Sequence, residues 1–258
     1  MTLLIPNPQS LIPRGARDAA NALVAAVLAP GCAVCDALLD DPLSGCVCRT
    51  CWGSIRPITP PICDQCGGPL PRADAACPNC SHEGTLVTRA RAIGEYEGTL
   101  REIIHALKYE RRRSLARPLA ALMRSRGAAL LQEADCIVPV PLHWRRAHHR
   151  GFNQARAIAD NLGLPVIDAL FRRRATRAQV ELAADRRRAN VEGAFGLRRP
   201  WFRTSRVAGI RVLLVDDVST TGATLEACAQ VLKDNGASVV YALTAARVVT
   251  RRHQRGLV

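Results

Sequence analysis

The chain has 258 residues, enough for one large or two modest domains, with 48% hydrophobic but only 4% aromatic residues. A formal net charge of +14 suits a polyanionic ligand, whether a small phosphate ester or nucleic acid, while the low aromatic content argues against a base-stacking platform. No stretch reaches membrane-spanning length; the best candidate, 19–30, is too short and contains Asn21. No basic region leads into an apolar core at the N-terminus, so no export signal is expected.

The charge is unevenly placed. Residues 1–92 hold seven Arg and seven acids, whereas residues 93–258 hold 29 Arg plus Lys against 15 acids, so the whole excess falls in the second segment. A phosphate-rich ligand explains that asymmetry, and so does a general use of Arg as surface cation.

Residues 1–15, with three prolines and little periodicity, are expected to be mobile. Ala19–Leu28 (AANALVAAVL) predicts a largely apolar helix, able to pack on the rest of the chain or to meet a partner. Eight of the eleven cysteines then form two quartets: Cys32, Cys35, Cys48 and Cys51 (CxxC–x12–CxxC), and Cys63, Cys66, Cys77 and Cys80 (CxxC–x10–CxxC). Each CxxC can wrap one metal as a knuckle, and two knuckles complete a tetrahedral thiolate set. Four CxxC pairs in a reducing cytoplasm point to two structural zinc ions rather than to disulfides or a redox centre. Each site could add on the order of 10–16 kcal/mol of apparent binding energy to folding a Pro- and Gly-rich segment too small for its own core. Sequential pairing of knuckles is simplest, and a crossed one fits the same spacing. Cys46 reads as a bystander, and Cys136 and Cys228 as packing residues.

Residues 90–96 predict a strand, and Thr99 with Glu102 a capping box for a helix running to about Tyr109. Ser114 is expected to cap the next helix, with Pro118 in its first turn. A strand at Cys136–Val140 leads into Pro141, Leu142 and His143 and a basic cluster, Arg145, Arg146, His148, His149 and Arg150. Residues 151–162 read as helical and 165–167 as extended. The central strand is placed at Val207–Val215, followed by a helix at 223–235 and a last strand at 238–244. Such alternation implies a mostly parallel sheet with helices on both faces.

The most informative segment is RVLLVDDVSTTGAT, 211–224. A buried apolar strand, Val212–Val215, delivers Asp216 and Asp217 to its carboxyl end, where open α/β sheets bind ligands. A turn of Ser219, Thr220, Thr221, Gly222, Ala223 and Thr224 opens the next helix, whose N-terminal amides and dipole suit a phosphate. Carboxylates repel that phosphate but accept bonds from a diol or hold Mg²⁺ through its waters. A ribose 5-phosphate satisfies both halves.

This pattern resembles the phosphoribosyl pyrophosphate (PRPP) signature of type I phosphoribosyltransferases. With the cysteine-rich front end, YEGTLREIIHALKY (96–109), VPVPLHWRRAHHRGFNQA (138–155) and RAQVELAADRRRANVEGAF (177–195), all in order, the chain is similar to the ComF family of competence-related proteins over nearly its whole length. The resemblance implies an α/β, type I phosphoribosyltransferase-like domain at 90–258, a double zinc ribbon at 31–85, and a tail with a helix at 1–30. It implies that Asp216 and Asp217 orient the ribose with Mg²⁺ while 219–224 hold the 5-phosphate. Pro141, Leu142, Arg145 and Arg146 would form the diphosphate loop, and Lys108 would reach a phosphate or complement its helix dipole. A flap over 171–195 would close on the ligand, with Thr176, Gln179, Arg186, Arg187 and Asn190 on family positions.

The implied activity is phosphoribosyl transfer to an unidentified acceptor with diphosphate release, linked to natural transformation. The alternative is a non-catalytic competence factor that binds single-stranded DNA or answers to PRPP. Partners implied are PRPP, single-stranded DNA and the DNA-uptake machinery, in the cytoplasm.

Overall fold

The computed structural model describes residues 14–78, 80, 85–143, 148, 150–173, 193–198 and 207–249. The expectations for the N-terminal tail, Arg145, Arg146, His149, Thr176, Gln179, Arg186, Arg187 and Asn190 lie outside these residues. Contacts divide the chain into two units, Met1–Ser54 and Ile55–Val258, a division that falls between the two cysteine quartets.

The first unit holds helix α1 (Arg14–Leu28), a 3-10 turn at Pro42–Ser44 and a short helix α2 (Arg49–Gly53). Asn21, the polar residue that interrupts the apolar run, is buried, and its Oδ1 accepts the Leu43 amide at 3.0 Å. Arg17 pairs with Asp41 at 3.5 Å on the same turn. The helix foreseen at Ala19–Leu28 therefore packs on the first ribbon and starts five residues earlier, at Arg14.

The second unit contains β1 (Arg89–Glu95), α3 (Gly98–Tyr109), α4 (Ala116–Arg126), α5 (Ala128–Glu133), β2 (Cys136–Pro139), α6 (Gln154–Ala159), β3 (Leu170–Arg172), β4 (Phe195–Leu197), β5 (Arg211–Ser219), α7 (Ala223–Asp234) and β6 (Val239–Arg247). Four strands form one sheet in the order β1-β6-β5-β2, every pair parallel, and a bridge from Ile137 to Val166 extends it beyond β2. β3 and β4 form a separate antiparallel pair. Among the described residues no helix is long and apolar enough to cross a membrane.

β5 is flanked on both sides, so its residues 212–215 are buried on both faces and the strand reads as an unbroken apolar run. Val212 and Leu214 pack with Val138, Val240 and Ala242 against Leu225, Cys228, Ala229 and Leu232 of α7. Strand alternation turns Leu213 and Val215 to the opposite face, where Gly127 and Glu133 approach Leu243 and Tyr241. Burial pushes the Cys136 thiol up to about 11 and the Cys228 thiol well above its ordinary range, as befits packing residues. At the start of β5, Asp135 accepts from the Arg211 amide at 2.8 Å and from its guanidinium at 2.7 Å, which fixes the register of β2 against β5.

Local differences from the sequence reading have identifiable causes. Thr99 sits inside α3 rather than at its cap: Gly98, with φ +48°, turns the chain into the helix and leaves Glu97 at the N-cap without a side-chain bond. A 3-10 turn at Arg113–Leu115 absorbs Ser114, so Leu115 becomes the N-cap of α4. Helix α6 is shorter than 151–162, because Asn153 caps it by accepting the Ala155 amide at 3.0 Å. β5 begins later than Val207 and runs on through the acid pair to Ser219, since β6 continues beside it to Arg247.

Gly94 in β1 faces the segment entering the unit: a Cβ there would lie 2.3 Å from the Arg56 carbonyl oxygen, which itself accepts the Glu95 amide at 3.1 Å. Because that neighbour is backbone in a bridge with Pro57, it cannot move aside cheaply. Gly94→Ala is expected to cost roughly 1–3 kcal/mol in urea unfolding, the usual range for forced overpacking.

Candidate functional site

The parallel order brings the carboxyl ends of all four strands to one edge, with Glu95, Arg247 and Ser219 in register across β1, β6 and β5. Asp216 and Asp217 stand at that edge within β5, three and two residues before its end. Because they are consecutive strand residues, their side chains leave on opposite faces.

Asp217 points to α3. Its Oδ1 lies 2.8 Å from Lys108 Nζ, and both side chains are nearly buried, at 11% and 13% exposure. Burial pulls the Lys108 ammonium toward its neutral form, but the charge and hydrogen bond of Asp217, with Asp216 beyond, outweigh it and hold its pKa above the ordinary lysine value. Asp216 faces the α7 side, within the fields of Arg172 and Cys228, and keeps a partly accessible edge. Its Oδ1 accepts the Asp217 amide at 2.8 Å. Packing among protein atoms, then the negative charge of Asp217, push its carboxyl up to about 7; the Asp217 amide, Lys108 and Arg172 oppose that rise. Lys108 thus matches Asp217, while Asp216 is poised to take or lose a proton near neutral pH.

The hydroxyl turn comes next. Gly222 takes the left-handed conformation (φ +82°) and serves as N-cap of α7 without a side chain to satisfy the first-turn amides. Thr221 Oγ1 accepts the Ala223 amide at 3.4 Å. Thr220 and Thr224 stay partly accessible, whereas Ser219 is only 5% exposed and its Oγ has no hydrogen-bond partner among the described residues. The structure thus brings together Asp216, Asp217, Lys108 and residues 219–224. Val140 joins them through its amide, which donates to Val215 O at 2.9 Å, so Pro141 (buried) and Leu142 (half-buried) begin their loop beside the acid pair.

Three site residues escaped the sequence reading. Asn153 caps α6 and also donates from Nδ2 to Val140 O at 3.0 Å, tying that helix to the loop; an Asn ahead of a helix was the available signal. Arg172 ends β3, with its guanidinium 5.2 Å over the Phe195 ring, at the base of the segment expected to form the flap. Thr244 is the register partner of Asp216 and is buried. Neither of the last two carries a local sequence signal.

Each cysteine quartet converges on one point, with all four sulfurs within 4.8 Å of one another, and sequential knuckle pairing is the arrangement found. Sulfur–sulfur separations are 3.8 Å for Cys32–Cys51 and Cys35–Cys48, and 3.8 and 3.6 Å for Cys63–Cys80 and Cys66–Cys77. A tetrahedral ion with zinc–sulfur bonds of about 2.3 Å requires edges of about 3.8 Å, so the donor sets fit structural zinc. Backbone amides add to this: Cys48 N donates to Cys32 Sγ at 3.3 Å. Cys46 lies outside both quartets.

A parallel sheet presenting an acid pair and a hydroxyl turn at its carboxyl edge, with two four-cysteine knuckle sites in the same chain, defines a type I phosphoribosyltransferase fold joined to a double zinc ribbon. Residues 23–81 match the family described as Double zinc ribbon domain, and residues 148–257 the Phosphoribosyl transferase domain. DNA utilization protein YhgH of Escherichia coli O157:H7 is 34% identical over 204 residues, covering 75% of this chain and 87% of that protein. Competence protein F of Haemophilus influenzae is 31% identical over 200 residues, covering 74% and 85%. Competence protein ComFC of Bacillus subtilis is 26% identical over 197 residues, covering 74% and 79%. The chain belongs to the ComF family.

Two outcomes are expected from the electrostatics. Removing one partner of a buried pair strands the other, so Lys108→Met is expected to lower stability by about 3 kcal/mol in urea titration, and Asp217→Asn added to it should recover most of the loss. Asp216 binds its proton more tightly folded than unfolded, so its stabilising contribution is full below the ordinary carboxylate range and is lost as pH rises through about 7. Asp216→Asn should therefore gain on the wild type between about pH 4 and about pH 7, with Tm rising on the order of 2–4 °C for each kcal/mol relieved.

Proposed function

We propose that the carboxyl edge of the sheet binds PRPP with Mg²⁺ and transfers its phosphoribosyl group to an acceptor with release of diphosphate. The observation that carries this reading is the succession along one strand–helix junction of Asp216, Asp217 and a hydroxyl-rich turn with glycine at the N-cap. Donors that suit a phosphate stand beside acceptors that suit a diol, a few residues apart. In this reading Thr220, Thr221, Gly222, Ala223 and Thr224 hold the 5-phosphate, and Ser219 shapes the turn from beneath. Asp216 and Asp217 accept the ribose hydroxyls, and their oxygen atoms suit a hard cation. Mg²⁺, when bound with the ligand, offsets the charge of the diphosphate.

Chemistry then requires little more than placement. The C1–oxygen bond to diphosphate breaks and its electron pair leaves with the diphosphate; a lone pair of the acceptor, a base or an amine, forms the new bond to C1 and the acceptor gives up a proton. Positive charge develops on the sugar as the bond breaks, and the ionised Asp217 stabilises it at short range. Lys108 holds Asp217 in the free protein and exchanges that contact for ligand as the site fills. Pro141, Leu142, Arg145 and Arg146 receive the diphosphate. Charge, cysteine usage and the names of relatives support a place in cytoplasmic DNA handling during natural transformation.

A second reading, in which the site is a PRPP sensor or the chain holds single-stranded DNA without turnover, draws on the relatives' DNA-related names and the basic second segment. Calorimetry with PRPP and Mg²⁺ decides the first step: wild type should bind, and Asp216→Asn with Asp217→Asn should weaken binding at least about tenfold. A screen of nucleobases and amines for diphosphate release then separates transferase from sensor. Unchanged affinity in the double variant would falsify the diol assignment. DNA binding, if present, should weaken steeply across a salt series.

A further inference from the structure

The hydroxyl turn is also held from behind, by the second cysteine quartet, which belongs to the same unit as the sheet. Arg247, the last residue of β6, is only 6% exposed and donates from Nη1 to the Cys66 carbonyl at 2.7 Å. Its main chain is bound on both sides: Arg247 O accepts the Tyr96 amide at 2.8 Å, and the next residue, Val248, donates to Ser219 O at 2.8 Å. Arg247 is thus the register partner of the residue where the turn begins. At the other end of the turn, Glu226 in the first turn of α7 accepts the Leu86 amide at 2.8 Å, just after the quartet in sequence. The knuckle itself is pinned to β1, where Ala90 N donates to Gln65 O at 2.6 Å.

Between these contacts lies a cavity of about 60 Å³ whose lining includes Cys66, Ser219, Thr221, Glu226 and Arg247. Ser219 belongs to this lining together with Val87, Ala90 and Leu225, so the start of the turn borders a hollow with mixed polar and apolar walls rather than close-packed side chains. Loose packing of that kind leaves the position of the turn to the polar contacts around it. Four thiolates around a divalent ion carry a net double negative charge, and the buried Arg247 guanidinium, bonded to the Cys66 carbonyl and among the described residues to no carboxylate, faces that charge. The first quartet belongs to the other unit.

We propose that Arg247 is a positioning residue for the hydroxyl turn, clamping the metal-loaded second quartet to the end of β6 opposite Ser219, so that the turn keeps its shape only while that quartet is intact. The inference rests on the reading that this turn receives the ligand phosphate. It assigns unequal roles to two metal sites of the same composition.

The test uses the full zinc-loaded chain and reads amide hydrogen exchange at 219–224 without ligand, zinc content, and PRPP affinity with Mg²⁺. Arg247→Met should retain both zinc ions, raise exchange at 219–224 about tenfold and weaken PRPP binding by a similar factor. Arg247→Lys keeps the charge but not the forked geometry and should give a smaller rise, which remains readable if the Met variant does not fold. Cys35→Ser should lose one zinc yet leave exchange at 219–224 within about twofold of wild type. Wild-type exchange in the folded Arg247 variants, or equal loosening by Cys35→Ser, overturns the proposal. If the wild type binds no PRPP, the proposed function fails, while the ligand-free exchange still decides the role of Arg247.

Discussion

Removing two adjacent carboxylates from water at the end of a buried strand is the constraint around which this fold is arranged. β5 is flanked by parallel partners and covered on both faces, so its acids cannot be hydrated from the side. The protein answers with one well-placed cation, Lys108, carried by a helix that starts more than a hundred residues earlier. Lys108 pairs with Asp217, and the fields of Lys108 and Arg172 do not offset burial at Asp216, whose carboxyl is pushed up to about 7. Buried charge that is only partly matched is what a binding site for a cationic or hydroxyl-rich ligand requires, since the ligand then supplies the missing partner.

Much of this was legible in the sequence, for physical reasons. Two-residue cysteine spacing has few uses, and the quartets close as their spacing suggests. The apolar run at 212–215 marks a central parallel strand because only burial on both faces calls for such a run. Helix α7 and the neighbouring β6 follow from ordinary periodicity and a glycine at each end of the helix. What stayed hidden is either long-range or positional. Nothing local to HALKY announces that Lys108 meets Asp217, because the contact is set by how α3 lies across the sheet. The capping box at Thr99 failed for a different reason: the motif was present, but the glycine before it moved the helix start by two positions.

The two cysteine quartets illustrate how one motif can serve different ends. In the first unit, the quartet and a helix bound through Asn21 and Arg17 organise a small body lacking a large core. In the second, the quartet's knuckle is sewn to β1 and β6 by main-chain and arginine contacts. Spacing alone could not distinguish them; the sheet edge of the second unit, which holds its own quartet, separates their roles.

The outward alternation of Asp216 and Asp217 has a consequence for how β5 tolerates change. A single residue inserted or deleted upstream within the strand would not slide the two acids along the edge; it would exchange the sides of the sheet they charge. After a deletion the lysine would face Val218 and the α7 side would receive Asp217 without its cation; after an insertion the lysine would meet Asp216 in place of Asp217. For this reason a change in the length of the run before the acid pair disturbs the site more than an apolar exchange at any one residue in it.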